Sequence, residues 1–392
     1  MRMKGTEQNA QFFRPVPLPP LSRRPLVSVL VSNYNYGSFL MEAIESVLQQ
    51  TYDNYEVIVC DDGSTDGSRT ILQSLQSVNL RITAIYQANE GQSSALNSAF
   101  RKSHGEIICL MDADDIFRPD KLQSLVNAFL SAPEAGFAIH RMRRVDKLRN
   151  PLGEIPLLSR LPSGWQGRAF NLKGPRVLAG LPPSSGLALH RTIAELIFPI
   201  PTTLRTCADT AVQVLAPLMT PIVSVDRILG EYRIHGTNNL GKNRFGTADV
   251  QRILSNDNQV WDVWRDYVTT QGAAGTGLLP AQRTPSILEY AHARFASDPS
   301  SRTLYSLGIS SPRYQAMSAL QRFYWKISIA MPDWLFRRSI EFVYGQSTAK
   351  IRFGRILDRF RWMRRRYATV LQNIRISRSR HTATFTSNSS MR

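Results

Sequence analysis

Residues 26–48 read LVSVLVSNYNYGSFLMEAIESVL and contain, in succession, an apolar segment, a polar turn and an amphipathic segment. The first segment, 26–31, is rich in valine and leucine and predicts a buried strand. After the turn at 33–37, apolar residues recur at the spacing of one helix face, namely Leu40, Ala43, Ile44, Val47 and Leu48. This stretch therefore predicts one strand followed by one helix.

The same alternation repeats three times downstream. Strands are predicted at 56–60, 81–86 and 107–111, and helices follow around 71–75, 93–102 and 119–130. Four such units in 26–130 predict an α/β fold built on a parallel sheet with crossover helices. Beyond Pro133 the pattern weakens, and the Pro- and Gly-rich stretch 160–201 predicts long loops before a helix at 208–218. Residues 241–320 are predicted to be helical or irregular.

Composition excludes several classes of protein. Of 392 residues, 43% are hydrophobic and 20% are charged, so global disorder is excluded. Three widely separated cysteines, Cys60, Cys109 and Cys207, have no disulfide or metal-ligand spacing and predict buried thiols in a reducing compartment. No run of about 18 apolar residues and no secretory signal is evident. We expect a cytoplasmic protein that could also contact the inner face of the membrane peripherally.

The positive charge is concentrated near the C-terminus. The net charge is +18, and residues 351–380 hold ten arginines against one acid, Asp358. Apolar residues at helical spacing in the same segment predict a basic amphipathic helix, which favours contact with an anionic membrane. Nucleic-acid binding and simple packing against the rest of the chain remain alternatives. The polar tail 381–392 is predicted to be disordered.

Two acidic motifs follow predicted strands. Asp112, Asp114 and Asp115 come directly after strand 107–111, so three carboxylates lie where open α/β sheets bind ligands. Such crowding suits Mg²⁺ or Mn²⁺ shared with substrate phosphates, although a solvated acidic turn is the simpler alternative. Residues 61–68, DDGSTDGS, follow strand 56–60 and are either a turn or a nucleobase contact. No Gly-x-Gly-x-x-Gly or P-loop occurs, which disfavours dinucleotide and P-loop sites.

Together these motifs resemble the family 2 glycosyltransferases, whose fold is of the GT-A type: a mixed sheet flanked by helices, here with a helical C-terminal extension. The resemblance covers residues 25–240 and rests on SNYN at 32–35, VCDDGSTDG at 59–67, NEGQ at 89–92, HGE at 104–106 and LMDADD at 110–115 with PDKL at 119–122. It implies inverting transfer of a sugar from a nucleotide-diphosphate sugar, with UDP expected, to a glycan or lipid-linked acceptor. Mn²⁺ or Mg²⁺ would serve as cofactor, and cell-surface polysaccharide synthesis would be the setting.

The resemblance also implies roles for particular residues. Asp209 would be the general base, although the family's usual Glu-Asp pair is here Ala208-Asp209, and a helix N-cap is the alternative. The element YRIH at 232–235 would meet the diphosphate through Arg233 and the metal through His235, with Asp114 as the main metal ligand. The nucleotide-sugar contacts would be Asn33, Tyr34, Asn35, Asp62 and Asp112. The loop PPSSGL at 182–187 resembles an acceptor-side loop, or is only a turn.

Two other functions are weighed against this one. A sugar nucleotidyltransferase needs a Gly-rich basic phosphate loop, and LVSNYNYG at 30–37 is neither. A non-catalytic nucleotide-sugar- or nucleic-acid-binding protein would use the basic C-terminal segment, but nucleic acid is disfavoured by the complete set Asp112, Asp114 and Asp209. The predicted organisation is an N-terminal extension at 1–24, the transferase domain at 25–240, a helical or irregular extension at 241–350, the basic helix at 351–380 and the tail.

Overall fold

The computed structural model describes residues 14–155, 161–167, 181–236, 238, 247–270, 285–315, 317 and 319–344. Its strands are β1 (Val27–Asn33), β2 (Tyr55–Asp61), β3 (Ile82–Tyr86), β4 (Ile107–Asp112), β5 (Ile116–Phe117), β6 (Phe137–Asp146), β7 (Pro151–Glu154), β8 (Leu187–His190) and β9 (Ile222–Ile234). The helices before β9 are α1 (Gly37–Leu48), α2 (Ser68–Val78), α3 (Gln92–Lys102), α4 (Lys121–Ser131), α5 (Arg191–Ile197) and α6 (Asp209–Met219). Those after it are α7 (Thr247–Val268), α8 (Ile287–Phe295), α9 (Ser301–Ser310), α10 (Pro312–Gln315), α11 (Ala319–Ser328) and α12 (Asp333–Tyr344).

All nine strands of the described residues form one mixed sheet. The order is β3-β2-β1-β4-β8-β6-β9-β5, and β7 pairs with β6. β1 to β4 are mutually parallel, with Asn33 paired to Asp61 and Ser32 paired to Asp112, so the carboxyl ends of β1, β2 and β4 lie side by side. The predicted α/β class, a mixed sheet flanked by helices with a helical C-terminal region, is confirmed.

Side chains that alternate along the strands enter two different cores. On β1, Val27, Val29 and Val31 pack into the cluster that receives Leu40 and Ile44 of α1. Leu30 points to the opposite face, where it meets the cluster formed by α3, α5, α6 and the end of α7. Because successive residues of a strand face opposite sides, the continuous apolar run at 26–31 is explained by burial on both faces. Full burial of each such side chain contributes about 1.5–3 kcal/mol.

The structure differs from the sequence prediction after Pro133. Two long strands, β6 and β9, occur where no strand was predicted, and they pair in parallel from Phe137 opposite Ile222 to Asp146 opposite Ile234. β6 was not predicted because its sequence is FAIHRMRRVD, in which charged residues interrupt the apolar pattern although Arg141 and Arg144 are buried. Arg141, for example, forms an ion pair with Asp226. Contacts with residues distant in sequence stabilise these strands, and local propensity does not predict such contacts.

The C-terminal helices have a core of their own. Trp325, Phe336 and Tyr290 are buried there. The ring centre of Tyr290 lies 6.2 Å from that of Trp325 and 5.3 Å from that of Phe336. None of the helices in the described part of the chain combines the length and apolar character needed to cross a bilayer. The basic helix predicted at 351–380 and the tail lie outside the described residues. The domain boundaries proposed from the sequence stay a prediction.

Candidate active site

A cleft of about 290 Å³ opens at the carboxyl ends of β1, β2 and β4. It brings together six of the residues selected from the sequence, namely Asn33, Tyr34, Asp62, Asp112, Asp114 and Asp209. The acidic strand ends meet because parallel strands end at a common edge of the sheet. Asp209 comes from the first turn of α6, more than ninety residues downstream of Asp114. The alternative of a solvated acidic turn at 112–115 is wrong, since Asp114 and Asp115 are buried.

Asp112 is fixed at both its backbone and its side chain. Its N–H donates to Ser185 Oγ at 3.0 Å, and its Oδ1 accepts from Gln92 Nε2 at 2.9 Å. Burial raises the pKa of Asp112 well above its usual range, and the charges of Asp114 and Asp209 raise it further. The carboxylates of this cleft therefore repel one another, and a cation or a hydrogen-bonding substrate would relieve the repulsion.

Asp114 and His235 form a contact that suits a metal ion. His235 Nε2 lies 2.9 Å from Asp114 Oδ2, and Asn238 Nδ2 donates to the same oxygen at 3.2 Å. The imidazole is held by aromatic rings, with its centre 4.4 Å from Phe39 and 5.4 Å from Tyr36. Within the described ranges no three His, Cys, Asp or Glu side chains converge on one point. A carboxylate and an imidazole still fit Mn²⁺ or Mg²⁺ if phosphate oxygens and water complete the coordination.

Arg233 lies elsewhere than the resemblance implied. It is 2% exposed, it is not among the residues that line the cleft, and its guanidinium is bonded to protein groups. Nε donates to Asp114 O at 2.8 Å, and Nη2 donates to Glu42 Oε2 at 2.6 Å. Its backbone N–H donates to Asp115 Oδ1 at 3.1 Å. The assignment of Arg233 to the diphosphate has no support from this geometry; the side chain instead holds the turn that carries Asp114.

Asp209 opens α6 and is not its N-cap, which is Ala208. Its Oδ2 accepts the backbone N–H of Ser184 at 3.1 Å, so the loop at 182–187 borders the cleft beside it. Burial raises the pKa of Asp209 to about 6. A carboxyl with such a pKa is ionised at neutral pH and is a stronger base than an exposed aspartate, which are the properties required of a general base.

The nucleotide end of the cleft is formed by the turn after β1. Asn33 is 1% exposed; its Nδ2 donates to Asp61 Oδ1 at 2.7 Å, while no hydrogen-bond partner among the described residues meets its Oδ1. Tyr34 is 46% exposed beside it. Asn35 adopts φ 58° and accepts the N–H of Thr65, outside the residues that line the cleft. Asn33 and Tyr34 thus both line the cleft, and of the two only Tyr34 is exposed.

Asp62 is committed to the neighbouring loop. Its Oδ1 accepts from Gln87 Nε2 at 2.7 Å and from the N–H of Glu90 at 2.9 Å, and its Oδ2 accepts the N–H of Gly91 at 2.8 Å. Gly91 has φ 96°, and a Cβ there would lie 2.7 Å from Arg205 Cα, so glycine is required. Asp62 therefore shapes the wall of the cleft, and its predicted contact with the base would have to share these oxygens.

Several residues that line the cleft had no role assigned from the sequence, among them Gln92, Asn238, Ser184 and Arg205. Gln92 and Ser184 lie in the motifs NEGQ and PPSSGL, and Asn238 lies three residues after YRIH, so their position near the site could have been anticipated. Arg205 had no such signal: it is exposed, it lines the cleft, and Nη2 donates to Asn89 Oδ1 at 2.6 Å. Arg205 is the one arginine or lysine among the described residues that line this cleft.

Comparison with known proteins gives consistent results. Residues 28–177 match the family described as Glycosyl transferase family 2. An uncharacterised glycosyltransferase of Nostoc sp. is 36% identical over 219 residues, which are 54% of this chain and 66% of that protein. The putative teichuronic acid biosynthesis glycosyltransferase TuaG of Bacillus subtilis is 38% identical over 101 residues, 26% of this chain and 40% of TuaG. The chain thus spans less than two thirds of the length of these relatives.

Among solved structures, that of residues 1–349 of TarS from S. aureus aligns with 79% of this chain and 89% of its own, at 15% identity and a TM-score of 0.46. The sequence match over 28–177 contains β1 to β4 and the Asp-x-Asp turn, which form one part of the cleft, whereas Asp209 and the other lining residues from 183 to 238 lie outside the match. Residues 28–177 thus form a domain of the family 2 glycosyltransferases.

Proposed function

We propose that this protein is an inverting glycosyltransferase that moves a sugar from a nucleotide-diphosphate sugar to an acceptor hydroxyl. The observation that carries the proposal is the presence of Asp112, Asp114 and Asp209 in one cleft at the carboxyl edge of the sheet. Inversion needs a single displacement, so a base must act on the acceptor while the leaving diphosphate is stabilised. Asp209 and the pair Asp114–His235 lie in places that would serve these two needs.

The mechanism assigns a task to each side chain. Asp209, ionised at neutral pH, takes the proton of the acceptor hydroxyl as the hydroxyl oxygen attacks the anomeric carbon. Asp112 accepts from the ribose, and Asp114 with His235 would hold Mn²⁺ or Mg²⁺. When bound, the cation supplies Lewis-acid stabilisation of the charge that develops on the departing diphosphate. No covalent nucleophile is needed, because one displacement completes the transfer.

The donor is proposed to be UDP-linked. Asn33 Oδ1 is a buried acceptor without a partner among the described residues, and it would accept an N–H of the base, such as N3–H of uracil. Tyr34, exposed beside it, offers a ring face for stacking. The acceptor is proposed to be a glycan or a lipid-linked glycan of cell-surface polysaccharide synthesis, in keeping with the name of TuaG as a putative teichuronic acid biosynthesis glycosyltransferase.

A donor panel tests the proposal. Thermal shift with UDP-, GDP- and dTDP-sugars, each with and without Mn²⁺, should show stabilisation by a UDP-sugar that depends on the cation. The same donor should then release UDP slowly to water and faster with an acceptor. A protein that binds none of the panel at millimolar concentration, with or without metal, would refute the transferase assignment.

We further propose a peripheral contact with anionic membrane. One reason is the predicted basic helix at 351–380. A second is the set of exposed aromatic side chains on α11 and α12. Trp334 is 65% exposed, and Phe342 and Phe323 are also exposed. Phe342 lies two helical turns after Trp334 on α12, opposite the buried Phe336 and Ile340. Exposed Lys326, Arg337 and Arg338 would add attraction to acidic headgroups, at about 1 kcal/mol each.

Vesicle flotation separates the two contributions. With phosphatidylglycerol vesicles at low salt, Trp334→Ser/Phe342→Ser should float less than wild type because it removes apolar contacts. Truncation after Gln346 should float less again because it removes the arginine-rich segment 351–380. The matched control is Val78→Ser/Leu80→Ser, which alters exposed apolar residues at another site. Equal flotation of all variants, or none by wild type, would contradict the membrane proposal.

A further inference from the structure

Gln92 joins two parts of the candidate active site that are distant in sequence. Its Nε2 donates to Asp112 Oδ1 at 2.9 Å, and its Oε1 accepts the backbone N–H of Ala208 at 3.0 Å. A glutamine amide carries both a donor and an acceptor, so a single side chain satisfies both groups. One end of Gln92 is therefore on the aspartate of the Asp-x-Asp turn, and the other is on the residue before Asp209.

The start of α6 has no cap of its own. The first backbone N–H groups of a helix lack partners within the helix, and the methyl side chain at Ala208 cannot accept a hydrogen bond. Gln92 Oε1 supplies an acceptor from α3 instead. The backbone N–H of Gln92 also donates to Arg205 O at 2.8 Å, just before α6. The N-cap of α6 and the residue three positions before it are thus both tied to α3, and Asp209 follows the N-cap directly.

We propose that Gln92 is a positioning residue that fixes Asp209 relative to Asp112, and thereby aligns the general base with the bound donor. This inference rests on the transferase function proposed above. A general base works only when it lies within hydrogen-bond reach of the attacking hydroxyl, so a small displacement of Asp209 slows the reaction without removing any reacting group. Gln92 also orients the Asp112 carboxylate toward the donor, which links it to donor affinity.

Two substitutions separate these effects. Gln92→Glu keeps an acceptor for the Ala208 N–H but replaces the donor to Asp112 with a negative charge. At pH 8 it should raise KM for the donor about tenfold or more and change kcat by less than about threefold. Gln92→Met removes both hydrogen bonds and should lower kcat by about tenfold or more as well. If the Met variant does not fold, Gln92→Asn, too short to reach both groups, gives the same comparison.

Gln50 provides a matched control. It is a buried glutamine whose Nε2 donates to Arg118 O at 2.7 Å and whose Oε1 accepts the N–H of Leu122 at 2.9 Å, so it also joins separate elements, but it does not line the cleft. Gln50→Met should reduce the free energy of unfolding and leave kcat unchanged per folded molecule. Combining Gln92→Met with Asp209→Asn should lower kcat no further than Asp209→Asn alone, because the base that Gln92 positions is already lost.

The outcomes are distinct. Three results would each overturn the inference that Gln92 positions the base. The kcat of Gln92→Met could equal that of wild type, or Gln92→Glu could lose as much kcat as Gln92→Met. The losses of kcat in Gln92→Met and Asp209→Asn could also add in the double variant. If wild type neither binds nor uses any nucleotide-sugar, the proposed function fails, and this inference fails with it. An active wild type with an unaffected Gln92→Met therefore refutes the positioning role alone.

Discussion

Asp209→Asn should make the protein more stable and nearly inactive at the same time. The substitution keeps the shape of the side chain and an oxygen for the N–H of Ser184, but it removes the negative charge. As a general base is lost, turnover should fall by about 10² or more, while donor affinity stays close to that of wild type. The wild-type rate should rise with pH through about 6, where Asp209 ionises, and the residual rate of the variant should lack this rise.

The stability change follows from the same pKa. An unfolded aspartate loses its proton near 3.8, whereas burial keeps the folded Asp209 protonated up to about 6. The folded state therefore binds this proton more tightly, and the contribution of Asp209 to the free energy of unfolding falls as pH rises from about 4 to 6 and stays lower above that range. The difference corresponds to up to about 3 kcal/mol. Asp209→Asn has no such loss, so its advantage should be near zero at pH 4 and largest above pH 6.

Denaturant unfolding of the metal-free protein at pH 4.5 and pH 8 measures this difference directly. Asp262→Asn is a suitable control, because Asp262 is more than half exposed on α7 and, within the described part of the chain, forms an ion pair with Arg265. The control should behave as wild type at both values of pH. A variant at position 209 that is no more stable than wild type at pH 8, or equally stabilised at both pH values, would show that burial does not hold the carboxyl at a raised pKa.

Two further predictions concern the support of the Asp-x-Asp turn and its metal. Lys121 is buried, its Nζ donates to Ser185 O at 2.6 Å, and burial lowers its pKa to about 7. Because an unfolded lysine holds its proton up to about 10.5, the contribution of Lys121 to the free energy of unfolding should rise between pH 7 and pH 10. Lys121→Met should lack this rise in denaturant unfolding. Asp114→Ala should weaken Mn²⁺ binding by at least tenfold in calorimetry, together with Mn²⁺-dependent UDP binding, while the protein stays folded; unchanged affinity for both would move the metal away from Asp114.

The sequence was sufficient for the first half of the sheet because each step there is local. Apolar runs at 26–31, 56–60 and 107–111 are long enough to specify strands, and the helices between them repeat at 3.6 residues. Parallel strands joined by such helices must end at one edge, so the acidic residues after β2 and β4 could be placed near each other without coordinates. The helix that carries Asp209 was also predicted, and it begins at Asp209.

The tertiary structure alone decided which side chains face the cleft. Arg233 looked suited to a diphosphate, yet Glu42 on α1 holds one end of its guanidinium and the carbonyl of Asp114 holds another. Asp62 looked free to meet a base, yet three donors from 87–91 occupy its oxygens. A motif gives the type of a side chain and its element, but its hydrogen-bond partners come from segments tens of residues away.

Long-range packing also explains why β6 and β9 are strands and why Gln92 joins two parts of the site. Buried arginines in β6 are tolerated because partners such as Asp226 lie on β9, and Gln92 reaches Asp112 and Ala208 because α3 packs between the sheet and the start of α6. From the sequence one obtains the order of the first four strands and the helices between them, and the edge at which the acids gather, since both depend on local patterns. Which acid becomes a base, which arginine is structural and which amide holds them in place depend on long-range packing, which only the folded chain defines.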